Sequence, residues 1–459
     1  MANRNTIGFS KLLIVFYCTL HLSFDNIAQS SLEEEYDKYY ALANAQLNRY
    51  EFDSALLNAK EATEYAFELE DIRKIANCHW TSGYINYVQG NLVDAFSYYM
   101  GAKKAFIRLK DMKSLVLIEE NLGTIALDNG TYGLAKSLYG DRFRTAEKLD
   151  NYALSHAYFD LGLAYEKEGE LDTAAHFFYE SLAGFTREFN EGNGDVLEMI
   201  SRSYNEIGTI YYQLARTSRN FDLLDSARNN YGQALEMSDK LTDQLFYELN
   251  MGLSFLLEDN LVVAEEHLND AIELSKLSDS NRLISRVLNA LGKLHYFKWN
   301  LELAKQYFEK SIEINTGFDD PSMNMDDSDI FIEMNSNLSL LVAYQYLDTI
   351  QKKDSNILSS ISSEKMLERY TTIVHTSRIL DQEKKAELIE LSYVAYRAEV
   401  ERTRLNNLWI DTVKSIGLAI LGFLLLIFGL QRVLRIRFKA KKRLELEKDI
   451  RKIVSREPE

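Results

Sequence analysis

A glycine recurs along this chain at Gly83, Gly123, Gly162, Gly208, Gly252 and Gly292, with separations of 40, 39, 46, 44 and 40 residues. Its partners recur with it. Twelve residues on stand Ala95, Ala135, Ala174, Ala264 and Ala304, and sixteen residues on stand Tyr99, Tyr139, Phe178, Leu268 and Phe308. The clearest copy, from Asp160 to Leu182, reads DLGLAYEKEGELDTAAHFFYESL. That spacing describes two antiparallel helices: Gly162 lets the second cross close to the first, Tyr165 packs into the crossing, Gly169 opens the turn, and Ala174 is small where the helices touch. Gly208 keeps the pattern once an insertion at 216–225 is allowed for, because Ala227, Tyr231 and Ala234 then restore the spacing. A weaker first copy uses Ala43, Ala55, Ala59 and Ala62.

Six such copies in tandem resemble the tetratricopeptide (TPR) repeat. The resemblance implies an all-α, TPR-like α-solenoid of about seven or eight helical hairpins, in which each repeat packs on its neighbours and no single central core forms. The period is near 40 rather than 34, so each hairpin is expected to have lengthened helices. The proline that often ends a repeat is missing, since Pro321 and Pro458 are the only two in the chain. Helix ends must then be set at turns such as Gln89-Gly90-Asn91 and Asp128-Asn129-Gly130.

Outside the repeats the ends differ. Residues 1–28 read as a secretory signal, with Arg4 and Lys11 ahead of the apolar run Leu12–Leu22, an uncleaved anchor being the other reading of so short a run. Removal of that segment would leave Cys78 as the sole cysteine, so no intramolecular disulfide is expected and the thiol reads as a buried small side chain. The formal net charge is −17, of which residues 29–431 carry −24. A surface that acidic repels phosphate backbones and argues against nucleic acid as a partner.

The solenoid is assigned to residues 29–358. An acidic loop follows about Thr316, without the ligand order of a calcium site. A helix at 330–347 is expected to pair with one at 363–380 and close the stack. Residues 359–408 then hold that closing helix and a charged helical stalk, whose Leu388, Leu391, Val394, Ala398, Leu405 and Leu408 can pair with a second copy as a homodimer or lie on the solenoid. One C-terminal transmembrane helix is assigned to 409–434, around the uncharged run Ser415–Gln431 with Trp409 at its edge. Residues 435–459 form a basic tail; with Arg432, its Arg435, Arg437, Lys439, Lys441, Lys442 and Arg443 set the cytoplasmic side.

No phosphate-binding loop, nucleophile elbow or zinc-protease motif occurs, so an enzyme, a cofactor and a metal are not expected. His156 and His176 read as packing or surface. What remains is a concave face lined by the first helix of each hairpin. Positions minus three, plus one and plus four from the glycine nominate Trp80, Tyr84, Tyr87, Glu120, Asn205, Tyr212, Asn289, Lys293 and Tyr296 as groove residues. Asparagine can bond both groups of an extended peptide backbone, and tyrosine adds apolar area with a polar tip. The same residues could instead fill the helix seams. The arrangement as a whole resembles bacterial envelope sensors with an extracytoplasmic TPR array, here with a short tail in place of an output domain. That resemblance implies a chain in the bacterial cytoplasmic membrane, its solenoid outside, binding a peptide or protein and engaging a cytoplasmic signalling partner through the tail. The other expectation is an envelope scaffold that assembles extracytoplasmic proteins without signalling.

Overall fold

The computed structural model describes residues 29–278, 280–316, parts of 342–350, and 379–454, some side chains of the last stretch excepted. The expected signal segment, the acidic loop and most of the expected closing pair lie outside the described residues. All the regular structure described is helical. The helices are α1 (29–47), α2 (Phe52–Glu68), α3 (Ile72–Val88), α4 (Leu92–Leu109), α5 (Met112–Asp128), α6 (Tyr132–Ala146) and α7 (Asn151–Glu168). They continue as α8 (Leu171–Asn190), α9 (Leu197–Ser218), α10 (Leu223–Met237), α11 (Leu241–Leu257), α12 (Leu261–Ser275), α13 (Asn281–Phe297) and α14 (Leu301–Thr316). Consecutive odd and even helices pair as hairpins, and each hairpin packs on the next.

The recurrent glycine sits at the crossing of every hairpin from α3–α4 onward. A methyl group built on Gly162 would come 2.6 Å from the Phe178 ring, and one on Gly123 would come 2.3 Å from Tyr139. Gly83, Gly208, Gly252 and Gly292 meet Tyr99, Tyr231, Leu268 and Phe308 in the same way. The pairing of Gly208 with Tyr231 shows where the insertion went. It lengthens α9 to 22 residues and leaves the crossing unchanged. Ala95, Ala135, Ala174, Ala227, Ala264 and Ala304 are all fully buried, as close helix contact requires.

Turn chemistry replaces the missing prolines. Gly90, Gly130 and Gly169 take positive φ, and Tyr50, Arg219, Asp259 and Trp299 adopt the same left-handed conformation at the corresponding turns. The carboxylates of Asp71, Asp111 and Asp150 accept backbone N–H bonds at the starts of α3, α5 and α7, and the Ser280 hydroxyl does so for α13. Such caps satisfy donors that the first turn leaves open.

The third hairpin departs from apolar packing. Lys103 on α4, 3% exposed, lies 3.0 Å from Glu119 on α5 and 3.1 Å from Asp141 on α6. Buried Arg142 pairs with Glu120 at 2.6 Å and with Asp160 on α7. Burial pushes the Glu119 carboxyl above its usual range, the nearby Lys103 opposing that effect. Cys78 is buried, and burial raises its thiol to about 11, so its thiolate is disfavoured at neutral pH.

Past α14, Ala343, Leu347 and Ile350 pack on Ala304, Phe308 and Ile312, and the Tyr346 ring stacks on Phe308. The chain divides into two compact units, Met1–Ile389 and Glu390–Glu459. The expected stalk, span and start of the tail form one continuous helix, Ile379–Val454. Among the described residues no helix is long and apolar enough to cross a membrane. The expected span at 409–434 falls on a stretch of which several side chains lie outside the description.

Candidate binding face

The first helices of successive hairpins touch one another as well as their own partners, at α5–α7, α9–α11 and α11–α13. They therefore form the inner rank of the stack. A first helix packs on its own partner helix and on the second helix of the preceding hairpin, touches the neighbouring first helices, and has a stripe left over. Positions minus three and plus four are seven residues apart, hence at one azimuth. In this stack that azimuth meets the neighbouring first helix rather than the open face.

The consequence is a correction to the expected groove. Asn205 is 2% exposed and Asn289 5% exposed, so both lie in the seams between helices and not on an open groove surface. Asn250 Nδ2 donates to Asn205 Oδ1 at 2.9 Å, joining α11 to α9, and Asn205 Nδ2 donates to Glu206 at 3.2 Å. Tyr212 packs with Tyr231 and Met251, and Tyr296 packs edge-on to Tyr346 in the cluster that closes the last hairpin. The Lys293 ammonium lies 5.8 Å from the Tyr346 ring centre, and burial lowers its pKa. Trp80 stands edge-on to Phe106, and the Tyr87 hydroxyl donates to Asp128 at 2.7 Å. Glu120 is held by Arg142. Of the nine nominated residues Tyr84, 46% exposed, is the most open to solvent, and the Glu120 side chain is partly exposed beside Arg142.

The more open positions are minus six, plus one and plus five. In the first half of the stack they carry apolar groups: Tyr84 and Val88 on α3 and Leu117, 46% exposed, on α5 are all exposed. Further along the stack the residues at these and adjoining positions are mixed in character. Arg202 and Phe246 occupy minus six on α9 and α11, and Glu206 occupies minus two on α9. Together with Asn205, Thr242, Asp243, Tyr247 and Leu283 they line a cavity of about 250 Å³ spanning α9, α11 and α13. Apart from Asn205, these residues were not nominated from the sequence. A stripe of arginine at minus six, repeated in Arg202 and Arg286, was the signal that could have found them.

The electrostatics of this cavity differ from those of the seams. Burial raises the Glu206 carboxyl to about 7, with Glu166 on α7 adding like-charge repulsion and Lys167, Arg202 and the Asn205 amide opposing it. Glu166 itself accepts from Gln213 at 2.6 Å and pairs with Lys167 at 3.2 Å. Burial also raises Asp243, with repulsion from Glu198. The Tyr247 hydroxyl lies 3.0 Å from Ser201 Oγ, which fixes the ring at the cavity wall. Arg202 leans away, its guanidinium 5.1 Å from the Phe159 ring centre. Among the described residues no group of three or more His, Cys, Asp or Glu could hold a metal ion.

A family model described as tetratricopeptide repeat matches residues 285–317, which cover most of α13 and all of α14. No curated protein matches the sequence. Among solved structures, aspartyl phosphate phosphatase F from Bacillus subtilis is similar at 17% identity, covering 67% of this chain and 78% of its own, with a TM-score of 0.50. A tetratricopeptide repeat protein from Parabacteroides merdae is 14% identical, covering 66% of this chain and 99% of its own, with a TM-score of 0.45. A Rap protein complexed with Competence and Sporulation Factor is 17% identical over 62% of this chain and 75% of its own, with a TM-score of 0.42. At these identities the likeness is one of fold.

Proposed function

We propose that this chain, a tetratricopeptide-repeat protein, is a binding module that receives a peptide or protein segment along its inner rank of helices and is tethered to a membrane by its C-terminal helix. The observation that carries the binding half is the open stripe on the first helices. Tyr84, Val88 and Leu117 leave apolar area uncovered on α3 and α5, and a polar cavity follows further along the same rank of first helices; apolar surface with a few placed polar groups is where ligands are held.

The tether rests on the uncharged run Ser415–Gln431 followed by seven basic residues between Arg432 and Arg443. Leu418, Phe423, Leu426 and Leu430 are all exposed on that helix, where a hydrocarbon surround would cover them. Placed this way, the solenoid lies outside the cytoplasm and the basic end inside, and occupancy of the inner rank is passed along the continuous helix to a cytoplasmic partner. Reporter fusions test the arrangement. An enzyme active only outside the cytoplasm should work when fused after Leu380 and be silent at Glu459. The reverse pattern, or activity at neither site, would overturn the tethered orientation.

A further inference from the structure

The cavity between α9, α11 and α13 contains two carboxylates that are in no direct ion pair with the cations around them. Neither Glu206 nor Asp243 belongs to any ion pair among the described residues. One Asp243 oxygen is buried with no hydrogen-bond partner, and Glu206 accepts only the single bond from Asn205. A buried carboxylate oxygen without a donor is unfavourable, and native structures supply a partner for such groups nearly always. The donor can come from a ligand.

The walls narrow the chemistry of that ligand. Phe246 and Tyr247 present aromatic rings to the cavity, and the Arg286 guanidinium lies 4.8 Å from the Phe246 ring centre. Asn205, held by Asn250, donates to the Glu206 carboxylate. Arg202 is the one cation in the lining; its charge favours both carboxylates from a distance, while its contacts are with the Phe159 ring and the Met199 sulfur rather than with either carboxylate directly. At about 250 Å³ the cavity suits one side chain and not a whole peptide.

We propose that this cavity is a subsite for a basic side chain, arginine or lysine, of the segment bound along the inner rank, with Glu206 and Asp243 as its hydrogen-bond acceptors and Phe246 and Tyr247 as its apolar walls. The subsite rests on the binding reading above. It adds the selectivity of the site: a basic residue is required at the position that reaches α9 and α11, while the apolar stripe at Tyr84 and Leu117 takes a different part of the segment.

The test uses the full chain in a neutral detergent and two capped amino acids, N-acetyl-arginine methylamide and its uncharged isostere, N-acetyl-citrulline methylamide, titrated by saturation-transfer NMR. The arginine derivative should bind saturably and at least tenfold more tightly than the citrulline derivative. Glu206→Gln combined with Asp243→Asn should abolish that preference, and Arg202→Gln, which removes a competing cation, should strengthen arginine binding. Equal binding of the two probes, absence of saturable binding, or a preference that survives the double substitution would each overturn the subsite. Because Tyr84 and Leu117 are outside the cavity, capture of a partner there would still stand if the subsite failed.

Discussion

Phe178→Ala should destabilise the solenoid by about 3–5 kcal/mol, the range for removing a fully buried aromatic ring from a core that cannot collapse around the space. The ring is completely buried, stands edge-on to Phe159 at 5.4 Å, and lies in a cluster with Phe185, Ile200 and Ile207. Its ring is pressed against Gly162. That contact makes the result specific. Gly162→Ala alone should also destabilise, because the new methyl would enter the ring, yet in the Phe178→Ala background the same methyl enters vacated space and should recover part of the loss. Urea unfolding of the two single variants and the double variant measures the coupling. Strict additivity would mean that Gly162 and Phe178 do not share the crossing. Since each repeat is stabilised chiefly by its neighbours, the loss should appear first in α7, α8 and α9 as faster amide exchange.

Lys103→Ala should be comparably damaging for a different reason. Removing the ammonium leaves Glu119 buried without its counter-charge, and breaking a buried pair from one side costs about 3–5 kcal/mol. The cost has a pH signature with a definite sign. Glu119 already titrates above its unfolded value because burial outweighs Lys103, and loss of Lys103 raises it further. The folded protein then binds more protons than the unfolded chain, so stability contributed through this group falls as pH rises from the unfolded carboxylate range through the folded pKa. The deficit of Lys103→Ala relative to wild type should therefore be larger at pH 8 than at pH 5. Adding Glu119→Gln should restore most of it at pH 8, because a neutral amide no longer needs the cation. Equal losses at both pH values, or no rescue by Glu119→Gln, would place the stabilisation elsewhere.

The two variants also mark what was legible in the sequence and what was not. The crossing of Gly162 with Phe178 was visible because it depends on spacing along one chain segment, and spacing is what a sequence records. The insertion before α10 could be placed for the same reason, since Ala227 and Tyr231 restore a local interval. The fate of Asn205 depended on something no interval contains, namely which neighbouring hairpin covers a given azimuth of α9. Asparagine gives no guidance, being as fit for a seam bond to Asn250 as for a peptide. The residues of the cavity were overlooked because Arg202, Glu206 and Asp243 come from two helices about 40 residues apart and form no motif in either. The buried charges at Lys103, Glu119 and Arg142 were equally invisible, since charged residues in helices are usually on the solvated side.

The central claim is that partners are held on the inner rank of first helices and not on the second helices. Site-specific photo-crosslinking in intact cells tests it most directly, with the photoreactive residue placed in the full chain at Tyr84 or Leu117 on the inner rank, and at Leu57 or Val262 on the second helices α2 and α12. All four positions are exposed, so reactivity alone does not favour either pair. Crosslinked species should appear at Tyr84 and Leu117, share the same mass at both, and be absent at Leu57 and Val262. Adducts confined to Leu57 and Val262, with Tyr84 and Leu117 silent, would contradict the account.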